Sequence, residues 1–91
     1  MYVIAKHRIN DAERFFSLSQ VAAEEAPPGL YGRQFCPSSD RTEAVCLWEA
    51  DSVDRVRDYL DSLVGEASEN AYFQVGTDDA VGIPEPIGAI D

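Results

Sequence analysis

The chain has 91 residues, which is enough for one domain with a modest core. Its 17 acidic residues outnumber the 7 Lys and Arg, and the formal net charge is −10. This charge repels the phosphates of nucleic acids and of anionic membranes, so we expect neither as a partner. An acidic surface is instead typical of a protein that is kept well solvated.

The sequence also indicates where the protein works. No apolar run approaches the length of a membrane span, and the first residues have the pattern of a strand rather than of a signal peptide. Two cysteines are too few for a disulfide framework, so both are expected to be reduced. These features predict a cytoplasmic protein with no membrane contact.

The first third of the chain predicts a strand and a helix. Residues 2–9 alternate loosely and suit a strand with both faces partly covered. A helix is predicted over residues 10–26, because Asn10 can cap it and Glu13 follows at the capping-box spacing. The Pro-Pro-Gly sequence at 27–29 ends it. Its inward stripe consists of Phe15, Phe16, Ser19, Ala22 and Ala23.

The remaining residues predict a hairpin, a second helix and a fourth strand. Strands over 30–36 and 42–50 flank turn-forming residues, which favours a hairpin. A helix capped by Ser52 follows, with one apolar stripe up to Val64, and the last strand covers 70–75. We therefore predict a domain over residues 1–76 and a C-terminal tail over 77–91 that is loose or ordered only by a partner.

The β-α-β-β-α-β order predicts an α+β fold of the ferredoxin-like type. Right-handed crossovers give a four-stranded antiparallel sheet in the order 4-1-3-2, with both helices on one face. The other face carries bulky apolar residues that two helices cannot cover, and such a patch favours association. A two-fold homodimer that closes the two sheets into a barrel is the expected solution. The alternative is that these side chains are exposed singly, which a monomer tolerates.

This order and size resemble the dimeric α+β-barrel superfamily, which contains small monooxygenases, isomerases and stress-response proteins. The segment Cys-Leu-Trp-Glu-Ala-Asp-Ser at 46–52 is also similar to the third strand of a small bacterial domain family with nickel-binding members, and His7 falls where that family has a histidine. That family often has Gly-His-Pro-Ala-Asp after the second helix, where this chain has Gly-Glu-Ala-Ser-Glu at 65–69. The resemblance implies a divalent metal such as nickel.

The predicted sheet order gathers possible metal ligands along one edge, at the end of the first strand. His7 lies there, with the neighbouring strand ends contributing Cys36, Glu43, Glu69 or Asn70 and the preceding loop contributing Glu66. Imidazole, thiolate and carboxylate groups together suit a borderline metal ion. The candidate metal ligands are thus His7, Cys36, Glu66 and Glu69. The alternative is that His7 is only a hydrogen-bonded edge residue.

An apolar pocket is the other candidate site. The aromatic residues that could line it are Tyr31, Trp48, Tyr72 and Phe73. His7 lies beside them and could act as a general acid or base. Of these, His7, Tyr31, Trp48 and Tyr72 are the predicted ligand-binding residues. The same aromatic side chains could instead belong to the core and the dimer interface.

Three functions follow from these patterns. The first is a small homodimeric binding protein that holds a metal ion or a small apolar molecule in the sheet cleft near His7. The second is a cofactor-free monooxygenase or isomerase that uses the same cleft, with His7 moving a proton. The third is an interaction domain that docks through its acidic helical face.

Overall fold

The computed structural model describes residues 1–87. Its elements, in chain order, are β1 (Tyr2–Ile9), α1 (Ala12–Ala22), β2 (Tyr31–Pro37), β3 (Glu43–Glu49), α2 (Val53–Val64) and β4 (Ser68–Gln74). The strands form one antiparallel sheet in the order β2-β3-β1-β4. The predicted ferredoxin-like fold and its strand order are confirmed.

Helix α1 begins one residue later than predicted. Asp11, not Asn10, is the N-cap, and its carboxylate accepts a hydrogen bond from Arg14 N at 3.2 Å. The reason is that the backbone N–H groups of Asn10 and Asp11 both donate to Ala67 O, which holds Asn10 against the start of β4. The backbone of Asp11 is not helical there (φ −134°, ψ 88°), so Asp11 is the cap and Ala12 is the first helical residue. It ends at Ala22 rather than at residue 26.

Helix α2 has the termini that the sequence indicates. Ser52 Oγ accepts from Arg55 N at 3.2 Å, and Gly65 N donates to Asp61 O at 3.0 Å. A Cβ atom at Gly65 would collide with Asp61 O, so this position requires glycine. Tyr59 Oη reaches across to α1 and donates to Ala22 O at 2.7 Å. This bond satisfies a carbonyl at the end of α1 and joins the two helices.

The strand register divides the sheet into an inner face, which faces the helices, and an outer face. Val3 lies opposite Trp48, and His7 lies opposite Ala44 and Asn70, all on the inner face. The core between this face and the helices forms from completely or nearly completely buried side chains, including Val3, Ala5, Phe15, Trp48, Val56 and Leu60.

The outer face is partly covered and partly open. Tyr2, Leu47 and Glu49 lie on it, yet only 6%, 2% and 8% of their surfaces are exposed. Val45 and Phe73 on the same face are 38% and 49% exposed. The predicted apolar surface therefore exists, but only part of it is available to a second copy. The homodimer stays a prediction.

Residues 84–87, which we call the strap, lie against the covered part of the outer face. Three hydrogen bonds join the strap to the sheet: Tyr2 Oη to Pro84 O (2.5 Å), Arg33 Nη1 to Glu85 O (2.9 Å) and Ile87 N to Glu49 Oε1 (3.0 Å). This part of the C-terminal segment therefore contacts its own domain. The rest of the predicted tail, from residue 88 on, lies outside the described residues.

Within residues 1–87, no helix has the length and apolar character that a membrane crossing requires.

A candidate ligand-binding cleft

A cleft of about 200 Å³ lies between α1 and the inner face of the sheet. Phe15 and Ser19 of α1 form one wall, and residues 32–35 of β2 form the other. The floor is formed by polar and aromatic groups of the sheet, which are His7, Cys46 and Trp48. The lining is thus mostly apolar, with two groups on its floor that can exchange a proton.

The shape of the cleft depends on an irregularity in β2. The register of β2 against β3 shifts between Gly32 and Gln34, which marks a β-bulge. Gly32 faces Trp48 there, and a Cβ atom at position 32 would lie 3.0 Å from Ala23 Cβ and 3.4 Å from the Trp48 ring. Glycine at this position lets the end of α1 approach the sheet closely. The cleft lies where α1 and β2 separate, beyond the contact between Ala23 and Gly32.

His7 is 4% exposed, and both of its ring nitrogens have partners. Its Nδ1 lies 2.6 Å from Asn70 Oδ1, and its Nε2 lies 3.1 Å from Cys46 Sγ. An amide oxygen can only accept, so Nδ1 carries the proton and Nε2 accepts from the Cys46 thiol. Asn70 Nδ2 donates to Asp61 Oδ1 at 3.1 Å, and this bond fixes the orientation of the amide.

Burial keeps both members of this pair neutral. Desolvation lowers the pKa of His7 below its ordinary value, although the hydrogen bond to Asn70 and the charge of Asp61 oppose this. Desolvation raises the pKa of the Cys46 thiol to about 11, opposed by the hydrogen bond that Trp48 Nε1 donates to Cys46 Sγ at 3.3 Å. At neutral pH the pair is therefore an imidazole and a thiol, not an ion pair.

Two of the four predicted ligand-binding residues lie in the cleft, namely His7 and Trp48. Tyr31 is opposite Glu49 on the outer face and is 39% exposed. Tyr72 is on the inner face but outside the cleft, where its hydroxyl donates to Asp61 Oδ1 at 2.6 Å. Burial and the nearby Asp61 raise the pKa of Tyr72, so its hydroxyl stays protonated. The structure does not bring Tyr31 or Tyr72 to the cleft.

The structure does not bring the four predicted metal ligands together. His7 faces inward, whereas Cys36 lies opposite Val45 on the outer face and is exposed. Two of the carboxylates form exposed ion pairs instead: Arg14 with Glu66 at 2.9 Å and Arg8 with Glu69 at 3.3 Å. In the described part of the chain, no group of three or more His, Cys, Asp or Glu side chains could hold a metal ion. These donors do not fit nickel.

Sequence reasoning missed Cys46 as the partner of His7, although the signal was present. In the predicted sheet order, β1 and β3 are neighbours, and the observed register, which pairs Ala5 with Cys46, places His7 and Cys46 on the same face. It also missed Phe15 as a cleft wall and residues 32–35 as the opposite one. A β-bulge leaves no periodic pattern in the sequence, so residues 32–35 could not be recognised as a cleft wall in the same way.

These features define a ferredoxin-like α+β domain with an apolar cleft between α1 and the sheet. The structure is similar to that of a candidate antibiotic biosynthesis monooxygenase from Nitrosomonas europaea, with a TM-score of 0.55 over 84% of this chain and 99% of that chain. The two sequences are 15% identical, and at this level the likeness shows a shared fold. No protein-family model and no curated protein matches the sequence.

Proposed function

We propose that the cleft binds a small, neutral and mainly apolar molecule. The observation that carries this is the mostly apolar lining of a cavity of about 200 Å³ with the His7–Cys46 pair on its floor. Ligand sites typically combine an apolar wall with a few convergent polar groups.

The size and charge of the cleft define the class of ligand. An apolar cavity of about 150 Å³ takes up benzene, so this cleft suits a molecule of one or two aromatic rings. Phe35 is 44% exposed and its ring lies 6.3 Å from that of Phe15, which places an aromatic side chain at the entrance. The net charge of −10 disfavours anions, and Arg33 is engaged with Glu49 at 2.7 Å.

Binding of 1-naphthol to the ¹⁵N-labelled protein tests this proposal. Trp48 is the single tryptophan and lines the cleft, so its indole N–H signal in NMR spectra reports occupancy. We expect a saturable shift of that signal. Ser19→Phe should weaken binding at least about tenfold, because the added ring fills the cleft. Ser17→Phe is the matched control, since Ser17 is exposed on the same helix, and it should bind as the unmodified chain does.

Two results would contradict the proposal. The first is an indole signal that does not respond to saturating 1-naphthol. The second is an equal response in the Ser19→Phe and Ser17→Phe variants, which would place the bound molecule elsewhere on the protein.

We propose as the second candidate a cofactor-free monooxygenase that uses the same cleft. What supports it is the neutral imidazole of His7 on the cleft floor, together with the fold shared with the Nitrosomonas europaea protein. Once the Cys46 thiol turns its proton away from His7 Nε2, that nitrogen would accept the hydroxyl proton of an electron-rich ring, which then reacts with O₂. For 1-naphthol the balanced reaction with one O₂ gives 1,4-naphthoquinone and one water. An isomerase would use the same proton transfer without O₂.

Oxygen uptake with 1-naphthol separates the two candidates. An enzyme would consume O₂ faster than the protein-free solution, and His7→Gln would reduce this rate about 10²-fold or more while the Trp48 signal still reports binding. If oxygen uptake equals the protein-free rate and the Trp48 signal still shifts on binding, the monooxygenase function is excluded and the binding function remains.

A further inference from the structure

Two side chains of the cleft floor, Cys46 and His7, and Asn70 behind them have the arrangement of a nucleophile, a base and a residue that orients the base. Cys46 Sγ lies 3.1 Å from His7 Nε2, and His7 Nδ1 lies 2.6 Å from Asn70 Oδ1. A nucleophile within about 2.6–3.2 Å of a base, with that base held by a third group, is the geometry of activated thiols and hydroxyls. Both Cys46 and His7 line the cleft, so the arrangement faces a space that a substrate can enter.

We propose that Cys46 is a nucleophile that adds to small apolar conjugated carbonyl compounds in the cleft, with His7 as general base and Asn70 as positioning residue. This rests on the proposed function, because the electrophile must enter the same apolar cavity. Conjugated carbonyls fit because addition to them needs only a nucleophile and a proton carrier. The Cys46–His7 pair supplies both.

The step balances within the site. His7 Nε2 takes the thiol proton as Sγ forms a bond to the β-carbon, and the carbon–carbon π electrons move toward the carbonyl oxygen. The proton then passes from His7 to the α-carbon, so the product is a thioether and His7 is neutral again. No oxidant or reductant takes part. Asn70 holds the Nδ1 proton throughout, and Asp61 behind Asn70 stabilises the transient positive charge on the ring.

Burial determines how the proton moves. Because the folded protein disfavours both the thiolate and the imidazolium, proton transfer must accompany bond formation rather than precede it. The rate at Cys46 should then be nearly independent of pH once His7 is neutral. An ordinary exposed thiol behaves differently, since it reacts as the thiolate and its rate rises about tenfold per pH unit below its pKa.

The test is the reaction of the full chain with N-ethylmaleimide between pH 6.5 and 8, with each cysteine followed by peptide mass spectrometry. Cys36 is exposed and serves as an internal reference in the same molecule. We expect the rate at Cys36 to rise steeply with pH and the rate at Cys46 to change less than about threefold. Three titratable groups act on the pair, namely Asp61 from α2, Tyr72 from β4 and Cys36 from β2. A Cys36→Ser protein removes the influence of the Cys36 thiol on the rate at Cys46.

Variants of the base and of the positioning residue complete the test. His7→Gln should slow Cys46 about 10²-fold and make its remaining rate rise steeply with pH, because general base catalysis is lost. Asn70→Ala keeps the base and should slow Cys46 about tenfold, with the reference rate at Cys36 unchanged in both. Circular dichroism and the Trp48 indole signal confirm that each variant is folded.

Two outcomes would overturn the inference. One is a folded protein in which Cys46 stays unmodified after Cys36 has reacted completely. The other is a Cys46 rate that rises with pH as steeply as that of Cys36 and does not respond to His7→Gln. If 1-naphthol still shifts the Trp48 signal in that case, only the role of Cys46 as a nucleophile is rejected, and the proposed binding function is retained. If that shift is also absent, both fall.

Discussion

Replacing Phe15 by alanine should reduce the free energy of unfolding by about 3–5 kcal/mol. Phe15 is 1% exposed and is among the largest fully buried side chains of the described residues. Its ring lies 5.1 Å from the His7 ring and 5.4 Å from the Phe16 ring, so truncation leaves a cavity beneath α1 as well as lost apolar contact. Domains of this size are stable by roughly 5–15 kcal/mol, so the loss is a large share of the total.

Urea unfolding followed by circular dichroism measures this effect. Phe35→Ala is the matched control, because Phe35 packs 6.3 Å from Phe15 but is 44% exposed, and it should lose only about 1 kcal/mol. Equal losses in the two variants would mean that the wall between α1 and the sheet contributes no more to stability than the cleft entrance does.

The fold could be predicted because its signals are local and repeated. The strand alternation at 2–9, the hairpin turn and the Ser52 cap each specify one element, and the crossover rule then leaves few arrangements. The error at the start of α1 has a tertiary cause. Asn10 and Asp11 are equally good caps in isolation, and in the fold the backbone of both residues is tied to the carbonyl of Ala67, far along the chain.

The four candidate metal ligands do not lie together in one chain, because the prediction grouped strand ends by edge without regard to face. Neighbouring residues in a strand point to opposite faces, so the side chains of Glu69 and Asn70 cannot both accompany His7. The register places Asn70 opposite His7 and Glu69 opposite Arg8. The same rule, combined with the register of β1 against β3, places Cys46 on the His7 face. Strand alternation and register therefore lead from His7 to Cys46, and not to Cys36, Glu66 or Glu69.

The cleft and the strap could not be predicted in this way. The cleft depends on a bulge at Gly32–Gln34 and on the close approach of Ala23, and these are properties of packing rather than of periodicity. The strap is held by three hydrogen bonds between residues that are from 38 to 82 positions apart in the chain. Nothing in the composition of its Pro-rich segment announces such partners.

The ion pair that holds the strap should give the second large effect. Arg33 Nη1 donates to Glu49 Oε1 at 2.7 Å and to Glu85 O at 2.9 Å, and the side chains of Arg33 and Glu49 are 17% and 10% exposed. Arg33→Met takes a charge-assisted hydrogen bond and the adjacent positive charge away from Glu49, and loss of one member of a buried pair is strongly destabilising. We expect Arg33→Met to lower the free energy of unfolding by about 2–4 kcal/mol, somewhat less than for a fully buried pair.

A double-mutant cycle in urea separates the pair from the packing of its side chains. Arg33→Met combined with Glu49→Met should recover most of the loss, because apolar replacements of both partners leave no uncompensated charge. Arg8→Met is the surface control. The side chains of Arg8 and Glu69 are 81% and 71% exposed, so its effect should stay below about 1 kcal/mol. If Arg33→Met is as mild as Arg8→Met, the Arg33–Glu49 pair does not stabilise the domain.

The same variant shows how firmly the strap covers the outer face. Ile87 N donates to Glu49 Oε1, so its amide hydrogen should be protected from exchange while the ion pair orients that carboxylate. Arg33→Met should increase exchange at Ile87 through local opening of the strap, whereas exchange at the amides of β1 and β4 should rise only as far as the lower free energy of global unfolding requires. A strap that opens this way would release Tyr2, whose hydroxyl it holds, and this enlarges the apolar surface of the outer face available to a second copy. The ion pair would then limit association as well as stabilise the fold, and the mass of the variant from light scattering would exceed that of the unmodified chain.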